Sequence, residues 1–175
     1  MLRVGGLTRL SAADYPGKLA AVVYCQGCAW RCGYCHNPEL QPSRGAHEIP
    51  WREVLSFLER RRGLLDAVVF SGGEPTLQRA LAPAMRQVKA MGFLVGLHTA
   101  GVVPRRLAEV LPLVDWVAMD VKAPFADHAR VTGVRGSAGI ESRVFIPEFA
   151  DREINSPGEP GVYYHMGIGF AGGPI

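Results

Sequence analysis

Residues 19–35 read LAAVVYCQGCAWRCGYC, and two signals meet there. The first six, residues 19–24, form a short apolar run with paired valines, the composition of a strand covered on both faces. The rest of the stretch holds Cys25, Cys28, Cys32 and Cys35, which are all the cysteines of the chain. A disulfide framework would spread its thiols to staple distant segments in an oxidising compartment. Thiols gathered into one short loop point to metal instead. Zinc modules bring two ligand pairs together across a dozen or more residues to close a tetrahedron. Here Cys28, Cys32 and Cys35 follow the spacing C-x3-C-x2-C, with Cys25 just before it. Soft thiolates suit iron–sulfur clusters, and a 4Fe-4S cube takes one ligand per iron. Three thiolates therefore leave one iron open.

The strand pattern of residues 19–24 recurs at 67–70 (AVVF), 93–97 (FLVGL) and 114–119 (VDWVAM). Between these runs, Trp51, Val54, Leu55 and Leu58 make one apolar stripe at helical spacing, with Pro50 before it and Gly63 after it. A second helix carries Ala84, Met85 and Val88, starts near Leu81 because of Pro83, and stops at Gly92. A third runs over residues 104–111, closed by Pro112. Alternating strands and helices predict an α/β fold, a parallel sheet with outer helices, either open or part of a barrel. Residues 144–146 suggest one more strand. From Asn155 to Ile175, nine of 21 residues are Gly or Pro, which predicts an irregular tail.

The 175 residues suit one domain, and 48% hydrophobic against 20% charged excludes a disordered chain. The net charge of +3 is mild, and its densest cluster, Arg60-Arg61-Arg62, falls at a helix end, where cations suit the dipole. Neither nucleic acid nor a membrane is expected as a partner. The longest apolar run, residues 19–25, is too short to span a bilayer. No secretory signal is visible, and a cytoplasmic location is expected.

Chemistry-bearing residues cluster after the strands. The cysteine loop follows the first; Ser71-Gly72-Gly73-Glu74-Pro75-Thr76 follows the second. His98-Thr99-Ala100-Gly101 comes at the third, and Asp120-Val121-Lys122 ends the fourth. Parallel α/β proteins build their sites at that end. Gly72-Gly73 is either a tight turn or a place where backbone meets a ligand. Asp120 and Lys122 face the same way on a strand and form either an ion pair or a ligand clamp. His98 reads as a rim histidine, and His36 is not needed beside three thiolates. Trp30 and Tyr34 either fill space or stack on a planar ligand.

The C-x3-C-x2-C loop with Tyr34 before its last cysteine, then Gly72-Gly73-Glu74-Pro75, resembles the radical S-adenosylmethionine superfamily. Asp14-Tyr15-Pro16-Gly17, Gln26-Gly27-Cys28, Cys35-His36-Asn37-Pro38 and residues 118–124 (AMDVKAP) resemble its glycyl-radical-enzyme activases, above all the anaerobic ribonucleoside-triphosphate reductase activating type. The likeness covers about residues 4–137. It implies a partial (β/α) barrel over residues 1–137, followed by a divergent tail over 138–175. It implies that Cys28, Cys32 and Cys35 hold a 4Fe-4S cluster whose open iron takes S-adenosylmethionine. Gly72, Gly73 and Glu74 would line the methionine end, Tyr34 would lie near the adenine, and Asp120 and Lys122 near the carboxylate. The implied reaction gives a 5′-deoxyadenosyl radical that takes hydrogen from a glycine of a partner enzyme. The implied electron donor is a flavodoxin or ferredoxin. A related radical enzyme acting on a small molecule such as a deazapurine precursor, or a non-catalytic zinc-binding or truncated module, are the rival readings.

Overall fold

The computed structural model describes residues 1–120, 122–124, 126–137 and 162–165. Six strands form one sheet in the order β1-β2-β3-β4-β5-β6. They are β1 (Val4–Ser11), β2 (Ala20–Cys25), β3 (Ala67–Gly72), β4 (Leu94–Thr99), β5 (Trp116–Asp120) and β6 (Val162–His165). Pairing from β2 to β6 is parallel throughout. The intervening helices are α1 (Trp51–Glu59), α2 (Leu81–Ala90) and α3 (Pro104–Val110), with α4 (His128–Thr132) after β5.

Alternation along the strands sorts their side chains onto two faces. Ala21, Val23, Val68, Phe70, Val95, Leu97, Val117 and Met119 point into the main core, where they meet Trp51, Val54 and Leu58 of α1 and Leu81, Met85 and Val88 of α2. The opposite face is a smaller cluster of Ala20, Val22, Ala67 and Val69 under Tyr15 and Trp116, whose rings lie 5.2 Å apart. Pro83 sits in the first turn of α2, where a missing amide costs nothing. The arginines after α1 are engaged locally: Arg60 donates to Ser56 Oγ, Arg61 stacks over Phe57 at 5.5 Å, and Arg62 pairs with Glu59 at 3.2 Å. Among the described residues, no helix is long and apolar enough to cross a membrane.

The structure amends the sequence reading in two places. First, the sheet is not wholly parallel: β1 pairs antiparallel with β2, with register shifts between Val4 and Gly6 and between Thr8 and Ser11. Its sequence VGGLTRLS lacks an apolar run because the strand is an edge, mostly half-exposed and irregular in register. Second, within the tail expected to be irregular, Val162–His165 pairs with β5, in the register Val117↔Val162 to Asp120↔His165. The third helix also ends at Val110 and passes into a 3₁₀ turn, Leu111–Leu113. The strand expected at residues 144–146 lies outside the described residues.

Candidate functional site

The last residue of β2, Cys25, carries the alternation of Ala21 and Val23 into the main core, where it is wholly buried. Burial pushes its thiol far up from its ordinary range. It is a small packing residue. Cys28, Cys32 and Cys35 lie beyond the strand end and are only partly buried. Burial also pushes the Cys28 thiol up, to about 11; the Trp30 backbone N–H, donating to its sulfur, opposes this, while Glu74 and the two neighbouring cysteines add to it. Cys32 is raised by burial and by Cys35, with Lys122 pulling the other way. The mutual influence of the three sulfurs places them on one patch. A metal centre assembled there must displace their protons.

Backbone bonds from three directions hold this loop. Gly27 and Cys28 donate to the carbonyls of Leu40 and Gln41 at 2.8 and 3.0 Å, and Arg31 N donates to Thr132 O of α4 at 2.7 Å. The buried Gln26 side chain donates to Glu39 O and Pro42 O, closing the far side of the loop. Gln78 Nε2 in turn donates to Gln26 O and Arg3 O. Gln26 and Gly27 stood out in the sequence only as part of a motif, and Gln78 and Arg3 not at all. Each glutamine side chain is an amide whose role depends on carbonyls that only the fold brings near.

Gly72 and Gly73 are required by the protein's own backbone. Gly72 has φ +106°, and a Cβ there would lie 2.5 Å from Cys25 N; one on Gly73 would lie 2.4 Å from Gly27 O. The chains run this close because Gly73 N donates to Cys25 O and Glu74 N to Gly27 O, both at 2.9 Å. The glycine pair thus welds the end of β3 to the entrance of the cysteine loop. The amides of Gly73 and Glu74 are therefore engaged by the loop.

The Glu74 side chain is buried at 1% exposure. Its Oε1 accepts from Thr76 N at 3.0 Å, Thr76 Oγ1 at 2.5 Å and Thr99 Oγ1 at 2.6 Å, and its Oε2 from Ala100 N at 3.0 Å. One carboxylate therefore ties the turn after β3 to the end of β4.

At the end of β5, Asp120 accepts from Lys122 Nζ, and that ammonium lies 5.9 Å from the Tyr34 ring centre. Burial works against the charge on Lys122, but Asp120, Tyr34 and Cys32 outweigh it and raise its affinity for the proton. The fold thus gathers Tyr34, Cys32, Asp120 and Lys122, which are far apart in sequence. His98 has Nε2 3.0 Å from Asp14 O and its ring edge-on to Trp116. His36 is exposed. Among the described residues, no three His, Cys, Asp or Glu side chains converge as they would around a single ion. A closed zinc tetrahedron takes four ligands, whereas a cube spreads its thiolates over separate irons. With Cys25 turned into the core, the donor set is three thiols on one open patch, which fits a cube with one free iron.

The molecule is thus an α/β protein of the class that presents a three-thiol cluster loop at the C-terminal edge of a parallel sheet. It matches the radical SAM superfamily over residues 22–140, and the chain belongs to that superfamily, whose members in general use a 4Fe-4S cluster and S-adenosylmethionine. It is 40% identical over 127 residues to a Methanocaldococcus jannaschii protein named as a glycyl-radical enzyme activating enzyme, covering 70% of this chain and 51% of the relative. The pyruvate formate-lyase-activating enzyme of Clostridium pasteurianum is 32% identical over 146 residues, covering 81% of this chain and 61% of that one. The chain spans about half to three-fifths of the length of these curated relatives. Two solved structures share the fold. Streptococcus suis SuiB bound to S-adenosylmethionine gives a TM-score of 0.56 at 17% identity, over 75% of this chain and 31% of that one. Escherichia coli QueE gives 0.51 at 16% identity, over 70% and 71%.

Proposed function

We propose that this chain, through residues 1–137, carries the cluster- and cofactor-binding site of a cytoplasmic enzyme that activates a glycyl-radical enzyme. The observation that carries the reading is the convergence of the Cys28–Cys32–Cys35 patch, Tyr34 and the Asp120–Lys122 pair at one strand edge. The relatives named as activating enzymes supply the reaction class. Cys28, Cys32 and Cys35 would hold a 4Fe-4S cluster, and with S-adenosylmethionine bound its chemistry is one-electron cleavage of the sulfonium to methionine and a 5′-deoxyadenosyl radical.

The residues of the chain do the positioning. Lys122 is held charged by Asp120 beside Cys32 and offers a cation to the cofactor carboxylate. Tyr34, next to Cys35 and partly exposed, offers a ring face to the adenine. Gly72 and Gly73 set the height of the loop against β3 and leave no side chain between the cluster and the methionine end. Glu74 contributes by holding the ends of β3 and β4 in register. The hydrogen is taken from a backbone glycine of a partner, an anaerobic ribonucleoside-triphosphate reductase or a related glycyl-radical enzyme, with the electron from a flavodoxin or ferredoxin. The test is anaerobic reconstitution with iron and sulfide, reduction, and measurement of 5′-deoxyadenosine, followed by paramagnetic resonance of candidate partners. Cleavage together with a glycyl doublet on the partner supports the reading. Cleavage without that doublet on any candidate would move it to a small-molecule substrate, and stoichiometric zinc without sulfide would overturn it.

A further inference from the structure

The indole of Trp30 sits inside the cysteine loop, 2% exposed, and its Nε1–H has no hydrogen-bond partner among the described residues. An orphaned buried donor is costly, and native chains rarely keep one without a reason. The contrast within this molecule is Trp51, also buried, whose Nε1 donates to Gln87 Oε1 at 2.7 Å. The surroundings of Trp30 narrow the choice of acceptor. Its neighbours Ala100, Val102, Leu77, Val103 and Val134 bring no polar side-chain atom, and the His128 ring meets it edge-on at 5.1 Å, with Nδ1 engaged by Ser137 Oγ and Nε2 not bonded to the indole. The sulfur-bearing neighbours in the same cluster are Cys28 and Cys32.

We propose that the Trp30 indole N–H donates to a sulfur of the cluster held by Cys28, Cys32 and Cys35, and that this bond raises the cluster's reduction potential. The inference rests on the cluster reading given above. A donor aimed at a cluster sulfur stabilises the more negative, reduced state, and hydrogen bonds to sulfur are among the protein's means of setting the potential. Trp30 is then a tuning residue. It does not ligate iron and does not touch the partner's glycine. Its ring is held by α4 through the His128 contact and through the Arg31 N to Thr132 O bond beside it.

Trp30→Phe keeps an aromatic ring and deletes the donor. In the full chain, reconstituted anaerobically, iron and sulfide content should stay near wild type. The ratio of reduced to oxidised cluster at a fixed ambient potential should fall about tenfold, which is about 59 mV for a one-electron couple. The second measurement needs no substitution: wild-type protein labelled with ¹⁵N in the indole should show a nitrogen coupling to the reduced cluster in pulsed paramagnetic resonance. An unchanged potential in a fully loaded Trp30→Phe protein, or no indole coupling in the wild type, would overturn the proposal. If Trp30→Phe does not fold, the labelled wild type alone decides. A wild-type protein that takes up no iron and sulfide would overturn the cluster reading itself, and the Trp30 proposal with it.

Discussion

Replacing Glu74 by glutamine keeps the length of the side chain and removes its charge and one acceptor. The carboxylate accepts four bonds, from Thr76 N, Thr76 Oγ1, Thr99 Oγ1 and Ala100 N. Glutamine has a single acceptor oxygen, which will stay with the three donors on the Oε1 side. Its amide nitrogen then faces the N–H of Ala100, leaving that amide buried and unpaired at a cost of about 1–3 kcal/mol. The three surviving bonds lose their charge assistance, about half a kcal/mol each. The total is near 3 kcal/mol, and at about 2–4 °C per kcal/mol for a chain of this size the melting temperature should drop by about 6–12 °C. Differential scanning calorimetry of the reconstituted protein under anaerobic conditions reads this directly. S-adenosylmethionine affinity, measured below the transition, should change less than tenfold, because the carboxylate is spent inside the protein. A drop of under 2 °C accompanied by loss of cofactor binding would refute this reasoning and make Glu74 a direct ligand.

Cys25→Ala should keep iron, sulfide and cofactor cleavage at a cost of about 1 kcal/mol in stability, since only a small buried side chain is trimmed; Cys28→Ala, Cys32→Ala and Cys35→Ala should each lose the cluster, and equal metal loss in all four would contradict the assignment. Asp120→Ala and Lys122→Ala should barely move the melting temperature, because a half-exposed pair is worth less than about 1 kcal/mol, yet weaken cofactor binding about tenfold by isothermal titration; unchanged binding in both would return the pair to a structural role. Burial holds His128 below its ordinary proton affinity, so as pH falls through about 6.5 the unfolded chain takes up a proton that the folded one refuses. Its contribution is therefore complete above pH 6.5 and shrinks below it, and the urea midpoint should fall between pH 7 and 5.5 less steeply in His128→Asn than in wild type; identical slopes would count against it.

The strands β2 to β5 were legible because each is buried on both faces and so reads as an unbroken apolar run. β1 was not, since a half-exposed edge with shifted register has no such signature, and neither was α4, five residues long and without an apolar stripe. At the site, the nearness of Cys28, Cys32 and Cys35 follows from spacing alone, because a short loop fixes their proximity whatever the fold does. Glu74 shows where that logic stops. Its neighbour in sequence, Thr76, could be guessed as a partner, but Thr99 and Ala100 reach it only because β4 lies beside β3. Gly72-Gly73 was read as either a tight turn or a place where backbone meets a ligand; the 2.4 Å clearance to Gly27 O that makes Gly73 necessary is a property of two segments 46 positions apart. The spare N–H of Trp30 is visible only once the fold has placed Leu77, Ala100 and His128 around it.

The bond from Arg31 N to Thr132 O joins positions 101 residues apart. During synthesis the cysteine loop emerges early, but α4 follows only after three more β–α repeats have been made. Until then the loop is bound by Leu40 and Gln41 and, once β3 is made, by Gly73 and Glu74, with the side facing Thr132 unfastened. The thiols are thus carried on a segment that is fastened on one side before the other. Closing a loop of that span carries its own entropic cost, which grows slowly with length, and the fastening comes last.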